Sequence, residues 1–464
     1  MTSALSLCMI LLVTTCAIRT SAQNASHPAI TSWIINSTNI TGRHYIKGNP
    51  TPIADTFKAN VQIVQYSKDY SYIRCNGIPS YVIGPYQDGN PAQAVGRNYL
   101  FKLPLVPKVQ TSAKTAVGLG HIGVLINGVP IYNYADARSY NNGNIWHQNA
   151  IHFERTGFDC ATGHPAPLQM GPPGMGGGGT QGQYHHHQNP TAFNIARVAM
   201  SDVCDMYLAD GLYVPDATKH GPLIGFAFDG YPIYGAYGWQ DGTTNVKRMR
   251  PSYQLRNITE RTTLANGQAL TQQQYGPTLT AQPLGAYAED FEFVAGSGDL
   301  DEHNGRFCIT PEYPNGTYAY FATIDANGNS AYPYMIGPTY YGVVLTENFG
   351  VRGPGAGSTG VTINESVTTY VATTSVSEQE SPLLTTTVYP NPANDVLIIQ
   401  ITTPLMSSAN VELVDLAGRT VQQATIYQGS TMCFLDVQTV YAGAYVVRIA
   451  QENNSISYPV IIGE

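Results

Sequence analysis

The chain has 464 residues, enough for two or three domains at about 100–200 residues each. Charged residues make up 12% of it, against a usual share of roughly 25%, and the formal charge is −8; both exclude the basic footprint of a nucleic-acid binder. A 43% hydrophobic share excludes a disordered chain, and 46 Gly, 30 Pro and 32 Tyr point to a turn-rich β protein rather than a helical one.

Residues 1–22 read as a secretory signal peptide. An apolar run from Leu5 to Ile18 is followed by the small residues Thr20-Ser21-Ala22 and then polar Gln23. The run is too short for a membrane span of about 20 residues, and no other segment qualifies. Export permits disulfides. Of the five cysteines left after cleavage, Cys75, Cys160, Cys204 and Cys308 lie in the central region and allow three pairings; Cys160–Cys204 with Cys75–Cys308 is the expected one. Cys433 sits in a strand-like run and reads as a core residue.

Residues 23–55 form a polar N-terminal segment. Over 56–345 short apolar runs, such as Val61–Tyr66, 123–128, 223–228 and 316–322, alternate with Gly, Pro, Asn and Asp, which is the pattern of strands and turns. Apolar spacing over 191–208 predicts one helix. Residues 346–386 are rich in Ser, Thr and Gly without aromatic anchors, the composition of a linker. From 387 to 464 strands recur at Val396–Ile401, 411–416 and 445–450, fitting a small sandwich of about seven strands. The expected fold is therefore mainly β: a large β-rich central domain with few helices, followed by a small C-terminal β-sandwich.

The unusual string is Tyr184-His185-His186-His187. On an extended strand His185 and His187 share one face, about 7 Å apart, and His186 points to the other. Two such imidazoles clamp a transition metal when further ligands arrive, and imidazole suits copper or zinc. Cys160-Ala161-Thr162-Gly163-His164 lies upstream, across a Gly/Pro-rich loop over 171–183 that lets His164 approach the strand. His220 opens the segment leading to an Asp229-Gly230 hairpin turn. The expected metal ligands are His164, His185, His187 and His220.

The other candidates carry less. His121 begins a strand and can add a ligand; His147 and His152, the latter near Glu154, suit supporting positions; His27 and His44 read as solvated. Asp290, Glu292, Asp301, Glu302 and Glu312 read as a solvated acidic face, without the spacing of a calcium loop. No serine-nucleophile elbow and no zinc-protease helix motif occurs, so no catalytic residue is named and no enzymatic reaction assigned.

The strings Gly163-His164-Pro165, Tyr184-His185-His186-His187, Gly225-Phe226-Ala227-Phe228-Asp229-Gly230-Tyr231-Pro232-Ile233-Tyr234-Gly235, 300–306 and Tyr332-Pro333-Tyr334 together resemble the YHYH domain family over about residues 56–345. His186 departs from that family's pattern, standing where its name-giving tyrosine would be. In the C-terminal region, Tyr389-Pro390-Asn391-Pro392-Ala393, Val414-Asp415-Leu416-Ala417-Gly418-Arg419 and Ala442-Gly443-Ala444-Tyr445-Val446-Val447-Arg448 resemble the sorting domain of type IX secretion. That second resemblance implies a Bacteroidetes-like source, a passage through periplasm and outer membrane, the secretion machinery as a partner, and a secreted or cell-surface destination. The expected function is an exported protein holding one transition-metal ion in a histidine cluster. The alternative is a non-enzymatic surface module whose tyrosines contact extracellular glycans or proteins.

Overall fold

A computed structural model describes residues 25–87, 93–169, 178–190, 212–349, 359–371 and 386–463, apart from 214, 243–244, 402–407, 416–417, 429 and 452–453, and also Cys204, Tyr207 and Ala209. The chain divides into two compact units, Met1–Val371 and Ala372–Glu464. The expected signal peptide and almost all of the expected helix over 191–208 lie outside the described residues.

The first unit is organised by a nine-stranded sheet. Its strands are β1 (Gln93–Ala94), β2 (His121–Leu125), β3 (Pro130–Tyr132), β4 (Gly163–Gln169), β5 (Gly178–His186), β6 (Leu223–Ala227), β7 (Pro232–Tyr234), β8 (Gly305–Thr310) and β9 (Tyr313–Phe321). They lie in the order β4-β5-β3-β2-β6-β7-β9-β8, with β1 also against β5. Strands β2, β3, β6 and β7 are buried along their whole length, so they read as continuous apolar runs rather than alternating ones. The expected Asp229-Gly230 turn joins β6 to β7, with Gly230 at φ +89°, where a side chain is strained. A four-stranded sheet of Val61–Tyr66, Tyr70–Cys75, Tyr99–Pro104 and Thr368–Thr369 accompanies it. Val64, Ile73, Phe101, Val124, Phe226 and Phe228 share one continuous core.

Two stretches depart from their compositional reading. Within 23–55, a short helix α1 (Pro28–Thr31) sends Ala29 and Ile30 into that core, together with Trp33 just beyond it. Two strands follow, at Thr41–Ile46 and Asn49–Lys58. Within 346–386, Asn348 is fully buried and bonds both backbone groups of Lys102, and Thr368–Thr369 pairs with Gln65 and Tyr66. Polar composition hid the first segment, whose few apolar residues are the ones buried, and lack of aromatic anchors hid the second, which is held by the Asn348 side chain and by strand pairing.

The second unit is the expected small sandwich. Three strands (Thr386–Tyr389, Val396–Ile401, Met432–Asp436) form one sheet and four (Ala409–Asp415, Thr420–Ile426, Gly443–Gln451, Asn454–Ile462) the other. Alternate residues such as Leu397, Ile399, Val411, Leu413, Val447 and Ile449 fill the space between them.

Cys160 and Cys204 form the expected disulfide, but the expected Cys75–Cys308 pair does not exist. Cys75 instead donates its thiol to the Gly128 carbonyl at 3.1 Å, and Cys308 is a buried residue of β8. Burial pushes the two thiols up to about 12 and about 11, so both stay protonated and inert. Non-reducing peptide mapping should therefore recover one bridge, Cys160–Cys204, and show Cys75 and Cys308 alkylated only after unfolding. The bridge spans 44 residues, a loop whose closure stabilises the fold by about 4 kcal/mol in the chain-entropy model, so reduction should lower the melting temperature measurably.

Candidate metal centre

The site is built on the β4–β5 hairpin, and one buried carboxylate sets its turn. Asp159 accepts the amides of Gly84, Ala161 and Gly163 and the hydroxyl of Tyr184. Thr162 takes φ +67° to complete the turn. Gly163 must lack a side chain because a Cβ there would collide with the Tyr184 hydroxyl. The register that results places His164 directly opposite His185. Directly opposed side chains in an antiparallel pair share a face, and His187, two residues on, joins them.

A fourth donor comes from elsewhere. The single-turn helix α2 (Ala150–Phe153) is capped by the Asn149 side chain, which accepts the Ile151 amide, and ends on Glu154. Glu154 Oε2 lies 2.9 Å from His187 Nε2 and 3.2 Å from His164 Nε2. His185 Nε2 and His187 Nε2 are 3.1 Å apart. All four donor atoms fall within 4.8 Å of one another, a group that can hold a metal ion. The rings are buried, with residues 164, 185 and 187 at 6%, 1% and 3% exposure, and only the Glu154 side chain, at 24%, reaches the surface.

The hydrogen bonds of the rings decide what their inner nitrogens can do. His185 Nδ1 donates to the Gln183 carbonyl, and His187 Nδ1 donates to the Asn133 carbonyl. A carbonyl only accepts, so in the neutral rings both Nε2 atoms carry lone pairs, and these face each other. A single proton between them makes one a donor and the other an acceptor; a bound cation takes both lone pairs at once. His164 Nδ1 has no hydrogen-bond partner, although the ring is buried against Phe158, and its Nε2 faces Glu154 Oε2. Imidazoles whose outer nitrogen is held by a carbonyl and whose inner nitrogen is free are arranged as metal ligands are. A tetrahedral ion with ligands at about 2.0–2.1 Å requires donor–donor separations of about 3.3–3.4 Å. The three close separations here, 2.9 to 3.2 Å, lie within a few tenths of that.

Charge follows the same geometry. Burial, reinforced by the neighbouring His164 and His187, holds His185 well below the ordinary histidine value. For His187 burial acts in the same direction, but the Glu154 carboxylate outweighs it and raises the group. Burial likewise opposes ionisation of Glu154, yet His187 and His164 hold its carboxyl well below the usual range. Each group thus favours the charged form of the other.

The remaining sequence candidates fall elsewhere. His186 points to the opposite face, as its strand position requires, and shares a 2.6 Å hydrogen bond with the Tyr81 hydroxyl. His220 is not in the group: its ring packs against Tyr234, Trp239 and Phe321. His121 is fully buried among Tyr99, Phe101 and Tyr132, one ring removed from the cluster through Tyr132, which stacks on His185 at 3.7 Å. His147 is paired with Glu289, and His152 with Gln282. His27 caps α1, and His44 pairs with Asp55. The acidic face does not form: Asp290 is buried on Arg261, Asp301 accepts the Tyr318 hydroxyl and Glu312 that of Tyr234. Glu154 escaped the sequence reading because nothing in His152-Phe153-Glu154 marks which of two polar residues turns inward.

If Glu154 sets the charge of His187, replacing it by Gln leaves burial as the dominant influence. In the metal-free chain His187 should titrate above 6.5, and Glu154→Gln should bring it below 6.5. Histidine NMR titration checks this; an unchanged His187 in the variant would disprove the pairing.

The family comparisons agree with this architecture. The model of the YHYH protein family matches residues 100–332, and that of the secretion system C-terminal sorting domain matches 387–463. No curated protein matches the chain in sequence. The first match spans β2 to β9, with the whole histidine hairpin inside it, and covers half of the 464 residues. The chain belongs to the YHYH protein family, and its sorting domain marks it for export to the cell surface or the medium.

Proposed function

We propose that the protein is an exported metalloprotein that holds one divalent transition-metal ion, zinc or copper, through His164, His185, His187 and Glu154. The observation that carries this is the convergence of the buried Nε2 atoms of His185 and His187, whose Nδ1 atoms are held by backbone carbonyls, beside the Glu154 carboxylate. Three nitrogens and one oxygen complete a tetrahedral set, with no thiolate or thioether that would select copper(I). Because the protein fills all four positions and the rings are buried, the ion is retained rather than presented to a substrate; catalytic sites keep a position open. Binding competes with protonation of His187, which Glu154 favours, so affinity falls as pH drops, beginning above the ordinary histidine value of 6.5. Burial of many tyrosines supports this reading over a glycan-binding surface. Tyr72, Tyr99, Tyr184, Tyr234, Tyr287, Tyr320 and Tyr340 are core residues, under 2% exposed for the purpose of any external partner.

Elemental analysis of the purified chain should give one equivalent of metal. His185→Ala or His187→Ala should weaken binding by more than about 100-fold, the upper range for disturbing a merely supporting residue. His186→Ala, on the opposite face, should leave affinity within a few-fold. Equal losses from all three, or a metal-free wild type, would sink the proposal.

We further propose that residues 1–22 are removed on export, and that the machinery reading the C-terminal domain commonly removes the chain from about residue 387. Mass spectrometry of the exported protein should show both new termini. A chain lacking 387–464 should stay behind in the cell; its normal export would refute the sorting role.

A further inference from the structure

The two central hairpins of the large sheet have matching sequences. Ile122-Gly123-Val124-Leu125-Ile126-Asn127-Gly128-Val129-Pro130-Ile131-Tyr132 and Ile224-Gly225-Phe226-Ala227-Phe228-Asp229-Gly230-Tyr231-Pro232-Ile233-Tyr234 align without a gap. They share Ile, Gly, Gly, Pro, Ile and Tyr at the same places, with Asn facing Asp in the turn. Their pairing is self-complementary: β2 meets β6 with Gly123 opposite Ala227 and Leu125 opposite Gly225, so exchanging the copies reproduces the ladder. That is the signature of a two-fold relation.

The relation extends outward on both sides. His186 of β5 pairs in parallel with Ile131 of β3, and Tyr320 of β9 pairs in parallel with the equivalent Ile233 of β7. Gly163 lies opposite His186, and Gly305 opposite Tyr320. Each outer hairpin opens on an aspartate that accepts the amides two and four residues on and a tyrosine hydroxyl: Asp159 with Ala161, Gly163 and Tyr184, Asp301 with His303, Gly305 and Tyr318. The intervening Thr162 and Asn304 have φ +67° and +66°. At Gly163 and Gly305 alike, an added Cβ would strike the tyrosine hydroxyl of its own hairpin. The strand order β4-β5-β3-β2-β6-β7-β9-β8 is the same half read in both directions.

We infer that the sheet is an internal duplication, and that its second half carries a latent metal site in which Arg306, Ala319 and Phe321 stand at the positions of His164, His185 and His187. The surroundings correspond as well. Tyr132 lies 5.9 Å from the His187 ring, and its counterpart Tyr234 lies 6.1 Å from Phe321. No carboxylate matches Glu154, since the residue five before Asp301 is Gly296. The space beside Tyr234 and Phe321 is taken by His220, which accounts for a histidine of the second half standing apart from the cluster. One ion per chain follows, and the exchange of three residues makes it two; this count rests on the metal reading of the first half, whereas the equivalence of the halves does not.

The test installs the donors. Full-length Arg306→His/Ala319→His/Phe321→His is loaded with zinc and analysed for bound metal, alone and in a His185→Ala/His187→Ala background. Wild type should bind one equivalent, the triple variant two, and the combined variant one. A folded triple variant that binds only one equivalent overturns the inference. A metal-free wild type with one equivalent in the combined variant keeps the duplication and overturns the native metal site instead. If the triple variant does not fold, Ala319→His/Phe321→His is tested with copper(II), whose higher affinity compensates for a smaller ligand set. Failure of that pair to fold, or to gain a second equivalent, likewise overturns the inference.

Discussion

The whole histidine centre depends on a buried carboxylate that binds no metal. Asp159 is fully buried, and burial outweighs the lowering effect of three backbone amides and the Tyr184 hydroxyl, leaving its carboxyl raised to about 7. Those donors belong to three separate stretches of chain, so a single side chain fixes the turn, the strand beyond it and the neighbouring loop at Gly84. Strand register is otherwise easily lost, because a slip of one residue turns every side chain to the other face. Here a slip would exchange His185 for His186 and dismantle the cluster. The Cys160–Cys204 bridge adjoins this aspartate and restrains the same turn covalently.

Burial gives the cluster its second property. Desolvation disfavours charged imidazole, and His121 and His186, both without exposure, are lowered to about 4 and about 3 on that account. Groups held neutral in this way support the fold above their ordinary value of 6.5 and withdraw that support as pH falls toward 4 and 3. His187 has the opposite sign because Glu154 stands beside it. The site therefore contrasts uncharged rings with one ion pair, whose Glu154 is the most exposed of the four side chains.

Much of this was legible in the sequence. Val61–Tyr66 and Val396–Ile401 begin and end where their apolar runs do, and the facing of His185 and His187 away from His186 follows from strand periodicity alone. Distant partners were less legible. Glu154 reaches the histidines only because Asn149 caps a four-residue helix, and no local pattern distinguishes a carboxylate that turns inward from one that does not. Cys75 and Cys308 are both buried cysteines in an export context, yet each already has its own strand environment, and composition says nothing about the distance between them. The repeat joining Ile122–Tyr132 to Ile224–Tyr234 is visible in the sequence itself. It gains meaning from the sheet, where the matching segments prove to be neighbours.

The short strand Thr368–Thr369 bears on where the exported chain can safely end. It covers the outer edge of Val61–Tyr66, whose other side is occupied by Tyr70–Cys75. Tyr72 reinforces it through Glu365, and Tyr370 through the Val64 carbonyl. A chain cut before 368 would bare a row of unpaired backbone groups, the template for sheet-to-sheet aggregation. A chain cut after Val371 would keep that edge sealed. Keeping this edge covered therefore sets a lower bound on where the chain can be shortened without exposing the sheet.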